Sequence, residues 1–192
     1  MARWEPGARD RIVVAAIDLF NDQGYDDTTV AQIAERAGIT KSTFHRYFPD
    51  KRDLLAAGQE ALSRLFAEGV AAAPSTATPL EAVASGLERV AGGLGPRNRE
   101  LGPRLSAAVA ASEELQQRAA LKSVGIASAV TQALMARGVP DAVARLAAEM
   151  GLLAIKRGFA EWTAADGDAD DGLAELSLAA LENLRLASEQ LG

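Results

Sequence analysis

Between Arg36 and Arg52 the chain sets Arg36, Lys41, Arg46, Lys51 and Arg52 against Asp50 alone. The short side chains Thr40, Ser42, Thr43 and the imidazole of His45 stand among these cations. Such cations neutralise phosphates, while hydroxyls and guanidinium groups hydrogen-bond to phosphate oxygens and base edges. The chain as a whole carries a net charge of −6, which argues for one specific anion-binding face and against a general nucleic-acid coat. Other chemistries find few residues. His45 is the sole histidine, with no partnered nucleophile in sequence reach. The absence of cysteine removes disulfides and thiolate zinc sites. Gly92-Gly93-Leu94-Gly95 lacks the lysine and the preceding strand of a phosphate loop. The run Asp166 to Gly172 imitates a calcium loop, yet its sixth position holds Asp171 instead of glycine and its twelfth holds Ser177 instead of glutamate. We therefore expect no catalytic residues, no metal, no cofactor and no enzymatic activity.

The cations need elements to aim them, and the pattern supplies two short helices. Thr29 can cap a helix from Val30, with Gln32 reaching back to close a capping box. Ile33, Ala34 and Ala37 form its apolar face, and Gly38 can take the left-handed conformation that turns the chain. Thr40 can cap a second helix whose Phe44 and Tyr47 point inward, leaving Lys41, Ser42, Thr43, His45 and Arg46 outward. This is a helix-turn-helix over 29–48 with a basic recognition helix, the geometry that enters a DNA major groove. Lys51, in the first turn of an expected helix from Lys51 towards Val70 capped by Asp50, would meet a phosphate together with free backbone N–H groups.

The rest of the chain reads as helix. Alanine and leucine dominate and no alternating strand pattern persists. A first helix runs from near Ala8 to a stop at Gly24. Helices are expected near Leu80–Leu94, from about Arg99 or Pro103 to Ala111, from Ser112 to about Arg137, from about Asp141 to Ala165 and from Gly172 to Gln190. Asp170 or Asp171 is expected to cap the last of these. The expectation is an all-α protein with a three-helix DNA-binding head, residues 6–66, and a larger helical ligand-binding and dimerisation body, residues 67–192. The charged amino terminus does not read as a signal peptide, and no segment approaches the ~20 apolar residues of a membrane span. A cytoplasmic protein with no membrane partner is expected.

Phe20, Gly24, Tyr25, Thr28-Thr29-Val30, Ile33-Ala34, Ala37-Gly38 and Thr43 through Lys51 together resemble the DNA-binding head of the TetR (tetracycline-repressor-type) transcriptional regulators. The resemblance covers about residues 6–66. It implies a homodimer on double-stranded operator DNA, with a small-molecule effector acting on the body. It also implies that Thr40, Lys41, Ser42, Thr43, His45, Arg46 and Tyr47 approach the major groove and its phosphates, while Thr29 and Lys51 hold the DNA backbone. Many members have tyrosine where this chain has His45. More loosely, Arg89, Leu115, Arg118, Arg137-Gly138-Val139-Pro140 and Trp162 resemble a subgroup that takes acyl-CoA-like or other apolar ligands.

Two further expectations concern the body. Its small residues, Gly125, Gly151 and Gly158 among them, either let helices pack closely or leave room for a ligand. Polar groups among the apolar faces, Glu88, Arg104, Lys122, Gln132, Lys156 and Trp162, would then fix an apolar or amphiphilic, acyl-like effector. The penultimate helix carries one stripe of Val143, Leu146, Met150 and Leu153 and a second of Leu152, Ile155, Phe159 and Trp162. The last adds Leu178, Leu181 and Leu184. Two apolar faces on one helix mean full burial or a partner, and a dimer interface of Leu152, Ile155, Phe159, Leu178, Leu181 and Leu184 is expected. The competing function is a helical protein-interaction module without ligand gating, which salt dependence would separate from DNA binding.

Overall fold

A computed structural model describes residues 7–54, 58–164 and 172–190. The regular elements among them are all helical. In order they are α1 (Ala8–Gln23), α2 (Val30–Arg36), α3 (Lys41–Tyr47), a 3-10 turn (Lys51–Leu54), α4 (Gln59–Ala72), α5 (Pro79–Ala91), α6 (Pro96–Ala110), α7 (Glu113–Ala136), α8 (Asp141–Ala164) and α9 (Gly172–Glu189). The all-α expectation holds. The calcium-like run from Asp166 and the proposed caps Asp170 and Asp171 lie outside the described residues.

Contacts divide the chain into two compact units, residues 1–57 with 101–120 and residues 58–100 with 121–192. The expected division at 66/67 falls inside α4, because Phe66 and Val70 are buried in the core of the second unit with Leu62 and Leu65 against them. A second difference precedes it. The expected helix from Lys51 towards Val70 is broken, since Gly58 sits at φ +87°, a left-handed conformation that a right-handed helix cannot contain. The chain makes a 3-10 turn at Lys51–Leu54 and starts α4 afresh at Gln59.

In the first unit α1 buries Ile12, Ala16, Leu19 and Phe20, the stripe its sequence carries. Ile33, Ala34, Phe44, Phe48 and Leu54 meet it, and residues 101–120 add Ala108 and Leu115 to the same core. Tyr47, expected inward, is 38 % exposed, and Phe48 at 3 % takes that place.

The second unit is held by close helix approach. A Cβ on Gly158 of α8 would fall 2.7 and 2.8 Å from the backbone N and Cα of Ser177 on α9. One on Gly69 of α4 would fall 2.6 Å from the Ser85 carbonyl of α5. Gly151 faces Val83 and Phe66 in the same way. Gly158 and Gly69 thus meet the backbone of a neighbouring helix and Gly151 meets neighbouring side chains, so the close-packing reading applies at these three. Helix α7 is long and apolar enough, by length and composition alone, to cross a bilayer, which the sequence reading did not anticipate. Its Ile126, Val130 and Leu134 are nevertheless buried in the core of the second unit, as a core helix requires.

Candidate DNA-binding surface

The first unit builds its outer face from capped, short helices. The Thr29 hydroxyl accepts from the Gln32 amide (3.3 Å), and the Gln32 side chain accepts from the Thr29 amide (2.8 Å), closing the capping box. Gly38, at φ +67°, ends α2, and the Ile39 amide donates back to the Ala34 carbonyl at 2.9 Å. This is the backbone reversal that only glycine adopts cheaply. The Arg11 guanidinium donates to the Ala37 carbonyl (3.2 Å), satisfying another orphan oxygen at that helix end. The Thr40 hydroxyl accepts from the Thr43 amide (3.1 Å) and starts α3. Phe44, fully buried, and Phe48 pin α3 from beneath.

What remains outward is the face expected to carry chemistry. Thr29, Thr40, Lys41, Ser42, His45, Arg46 and Tyr47 are exposed, and Thr43 is half-buried with its hydroxyl 3.0 Å from that of Thr40. The Arg46 guanidinium lies 5.2 Å from the centre of the Tyr47 ring. His45 Nδ1 stands 3.0 Å from the Pro49 carbonyl oxygen. A carbonyl only accepts, so Nδ1 carries the proton and Nε2 of the neutral ring is left as an acceptor.

The residues matched by the family model for bacterial regulatory proteins of the tetR family are 12–57, the span of this head. Residues 12–57 therefore resemble the regulatory proteins of the tetR family. It is 38% identical over 68 residues to the HTH-type transcriptional regulator BetI of Cronobacter sakazakii, covering 35% of this chain and 34% of that protein. It is 35% identical over 75 residues to the regulator TcmR of Streptomyces glaucescens, covering 39% and 33%. The chain thus matches about a third of the length of these curated relatives. A TetR-family regulator from Syntrophomonas wolfei superposes over 93% of this chain and 95% of its own, at TM-score 0.63 and 20% identity. A transcriptional regulator from Aquifex aeolicus does so over 94% and 99%, at TM-score 0.54 and 20% identity. Those two likenesses establish the fold of the whole chain.

Within this TetR-like head the cations that the sequence groups together have different fates. Arg36 pairs with Asp22 at 3.6 Å and Asp18 at 3.9 Å, and Arg52 pairs with Asp50 at 3.0 Å. Lys51 is half-buried and turned onto backbone carbonyls. Among the described residues, Lys41 and Arg46 are left without an acidic partner. The contacts of three further residues are not legible in the sequence. Arg9 lies 5.6 Å from the Phe48 ring centre, Arg11 caps α2, and Tyr25 donates to Glu114 at 3.2 Å. Burial, with the Glu114 charge, pushes the Tyr25 phenol well above its ordinary pKa. No spacing rule marks such long-range partners.

The residues expected around an effector are not brought together. Arg104 belongs to the first unit and pairs with Asp18. Gln132 and Lys156 are exposed. Glu88 is exposed in a shallow groove between α4 and α5 with Arg89, Gly92 and Gly93. Trp162 is buried, with the Arg99 guanidinium 5.7 Å from its ring centre and donating to its carbonyl at 2.9 Å. Lys122 is half-buried, and burial holds its ammonium below the usual lysine range.

Within one subunit the residues of the expected interface differ in exposure. Leu152 and Leu181, both 6 % exposed, are already core, and Ile155, Leu178 and Leu184 pack partly against it. Phe159 is half-buried beside Trp162, with ring centres 5.7 Å apart. The stripe left to solvent is Val143, Leu146 and Leu153, with Leu186 on α9. Leu146 and Val143 line an apolar groove of about 600 Å³ with Leu80, Met150, Leu178 and Arg185. The periodicity of the 24-residue α8 identifies both stripes equally, and only packing against α5 and α9 decides which faces inward.

Proposed function

We propose that this chain is a sequence-specific DNA-binding transcriptional regulator that acts as a two-fold homodimer and represses from a near-palindromic duplex site. The observation that carries the reading is the outer face of α3. Lys41 and Arg46 stand unpaired by acids beside Ser42 and the exposed His45 ring, on a helix capped by Thr40 and pinned by Phe44. Short polar groups there permit close approach to base edges, and the two cations meet phosphates. Thr29, at the start of α2, and Tyr47, under the Arg46 guanidinium, border the same surface. Dimerisation through α8 and α9 would bury Val143, Leu146, Leu153 and Leu186, and would set two α3 helices about 34–36 Å apart or a multiple of it.

The test is fluorescence anisotropy of duplexes selected from a randomised pool by the wild-type chain, repeated at rising salt. Counterion release predicts a steep fall in affinity with salt. Affinity flat with salt would favour the protein-interaction module instead.

For the second unit the proposal is an amphiphilic, acyl-like effector with an anionic end. Lys122 supports it: its ammonium is desolvated and has no anionic partner among the described residues, a group that an anion would relieve. Neutral fatty alcohols and the corresponding anionic fatty acids or acyl-CoA thioesters, titrated against the preformed DNA complex, discriminate the classes. Release by the anionic ligands, lost in Lys122→Met with DNA binding intact, is the expected result. Equal release of both chains, or of neither, would rule this effector reading out.

A further inference from the structure

The side chain of Lys51 runs into a ring of main-chain oxygens. Its Nζ lies 2.7 Å from the Tyr25 carbonyl, 2.9 Å from that of Thr28 and 3.3 Å from that of Asp26. It also sits 4.2 Å from the centre of the Tyr25 ring. An ammonium has three N–H donors and no acceptor, and three carbonyls stand within reach of them. The segment so held is the link between α1 and α2. Thr28 donates its amide to the Tyr25 carbonyl (3.2 Å) and its hydroxyl to the Gly24 carbonyl (2.7 Å), and Thr29 follows at once as the N-cap of α2. Four successive residues, 25–28, have their backbone direction set within this one cluster.

Sequence spacing places Lys51 on a phosphate, and its surroundings argue otherwise. It is not in the first turn of an α-helix, since Lys51–Leu54 is a 3-10 turn. Its neighbour Arg52 is neutralised by Asp50. To reach a phosphate the ammonium would have to leave all three carbonyls and the face of the ring. Accepting the DNA-binding reading of the head, we infer that Lys51 is a positioning residue. It acts on DNA by fixing the 25–28 link, hence the Thr29 capping box and the entry of α2, and it forms no ion pair with phosphate.

The lysines of the full chain are Lys41, Lys51, Lys122 and Lys156, few enough for their ammonium groups to be followed individually by ¹⁵N NMR. The Lys51 signal, identified by its loss in Lys51→Met, is expected in the free protein. Its protons are held by carbonyls and exchange slowly with water, and the Tyr25 ring shifts it from the other lysines. It should stay in place when a duplex selected by the wild-type chain is added, while the Lys41 signal moves. Lys51→Met should speed amide exchange at Thr28, Thr29 and Gln32 at least about tenfold and leave Val130 and Leu134 of the second unit unchanged. The slope of log affinity on log salt should keep its wild-type value in Lys51→Met and drop by about 0.9 in Lys41→Ala. A Lys51 signal that appears or shifts only with DNA would overturn the inference. So would a slope lowered by about one in Lys51→Met with amides 28–32 still protected. A wild-type chain that binds no duplex would sink the DNA-binding reading itself, a result distinct from either of these.

Discussion

The two units of this chain use the same amino acids for opposite ends. In the first unit α2 and α3 are seven residues each, too short to persist by hydrogen bonding alone. Each residue there is committed to a cap, to the core or to the outer face, and the residues with no internal partner stand out. In the second unit α8 spans 24 residues and α9 spans 18. Some of their surface charges pair along the helix, as Arg145 does with Asp141 and Arg185 with Glu182 and Glu189. Exposed pairs of this kind add little stability. The large apolar side chains that α8 and α9 leave to solvent are Val143, Leu146, Leu153 and Leu186. A function that works through charge is therefore written in residue types, whereas one that works through apolar contact is written only in which way a helix is turned.

The sharpest way to break this contrast is to remove an anchor from the head. Phe44 is fully buried beneath α3, and Phe44→Ala should cost about 3–5 kcal/mol. A domain of this size has little more stability than that to lose. Calorimetry should show the first unit melting early, and duplex affinity should disappear, while helical signal from the second unit persists. Duplex affinity within a few-fold of wild type would mean that α3 is not the surface that binds.

Next in size is a matched pair on the second unit. Leu146 is 61 % exposed and Leu181 is 6 % exposed. Leu146→Asp leaves a protomer with its core intact and places a charge in the proposed subunit contact, so sedimentation should find folded monomers with weakened duplex binding. Leu181→Asp buries an unpaired carboxylate inside the protomer and should unfold the second unit. A folded Leu181→Asp monomer beside a dimeric Leu146→Asp would place the subunit contact on the Leu152 and Leu181 face instead.

The choice between those two faces marks where legibility ends. Thr29 with Gln32, Gly38 and Thr40 each have one local job, so their types and spacing place them correctly without any tertiary information. The same holds for Gly24 and Gly138, both at positive φ where helices end. Arg104 could not be placed this way. Its partner Asp18 is 86 residues distant in sequence, and its assignment to the first unit follows from the return of residues 101–120 to that core. Gly58 offered a local signal that was overlooked, because an uninterrupted apolar pattern from Leu54 to Val70 hid the glycine within it. The stripes on α8 were both seen, but periodicity ranks neither above the other.

Smaller effects come from the same chemical change made in both units. Thr40 caps α3 and Thr78 caps α5, the latter with Glu81 in a complete capping box. Each Thr→Ala change should cost about 1 kcal/mol of stability. Only Thr40→Ala should also lower duplex affinity, by loosening the first turn that carries Lys41 and Ser42. Equal losses of affinity in both variants would mean that binding follows overall stability and not the geometry of α3.

The smallest expected effect compares two half-buried ammonium groups, and it should differ in sign between them. Lys51 spends its hydrogens on the carbonyls of Tyr25, Asp26 and Thr28, so Lys51→Met removes bonds and destabilises. Lys122 has no hydrogen-bond or ion-pair partner among the described residues, and desolvation lowers its pKa, so Lys122→Met removes a cost and stabilises near neutral pH. The pH dependence follows from the direction of that shift. An unfolded chain titrates Lys122 near about 10.4, above the lowered folded value. Between the two values the unfolded state keeps a proton that the folded state has released, and stability contributed by this group rises with pH. The advantage of Lys122→Met over wild type should therefore be full below the lowered folded value and shrink as pH climbs through it towards about 10.4. Tyr25, whose raised pKa makes stability fall in alkali, is present in both chains and cancels in the difference. Urea unfolding of the two chains across this range measures the narrowing directly. Parallel curves would mean that the Lys122 ammonium is already solvated or paired, and the argument for an anionic effector would lose its support.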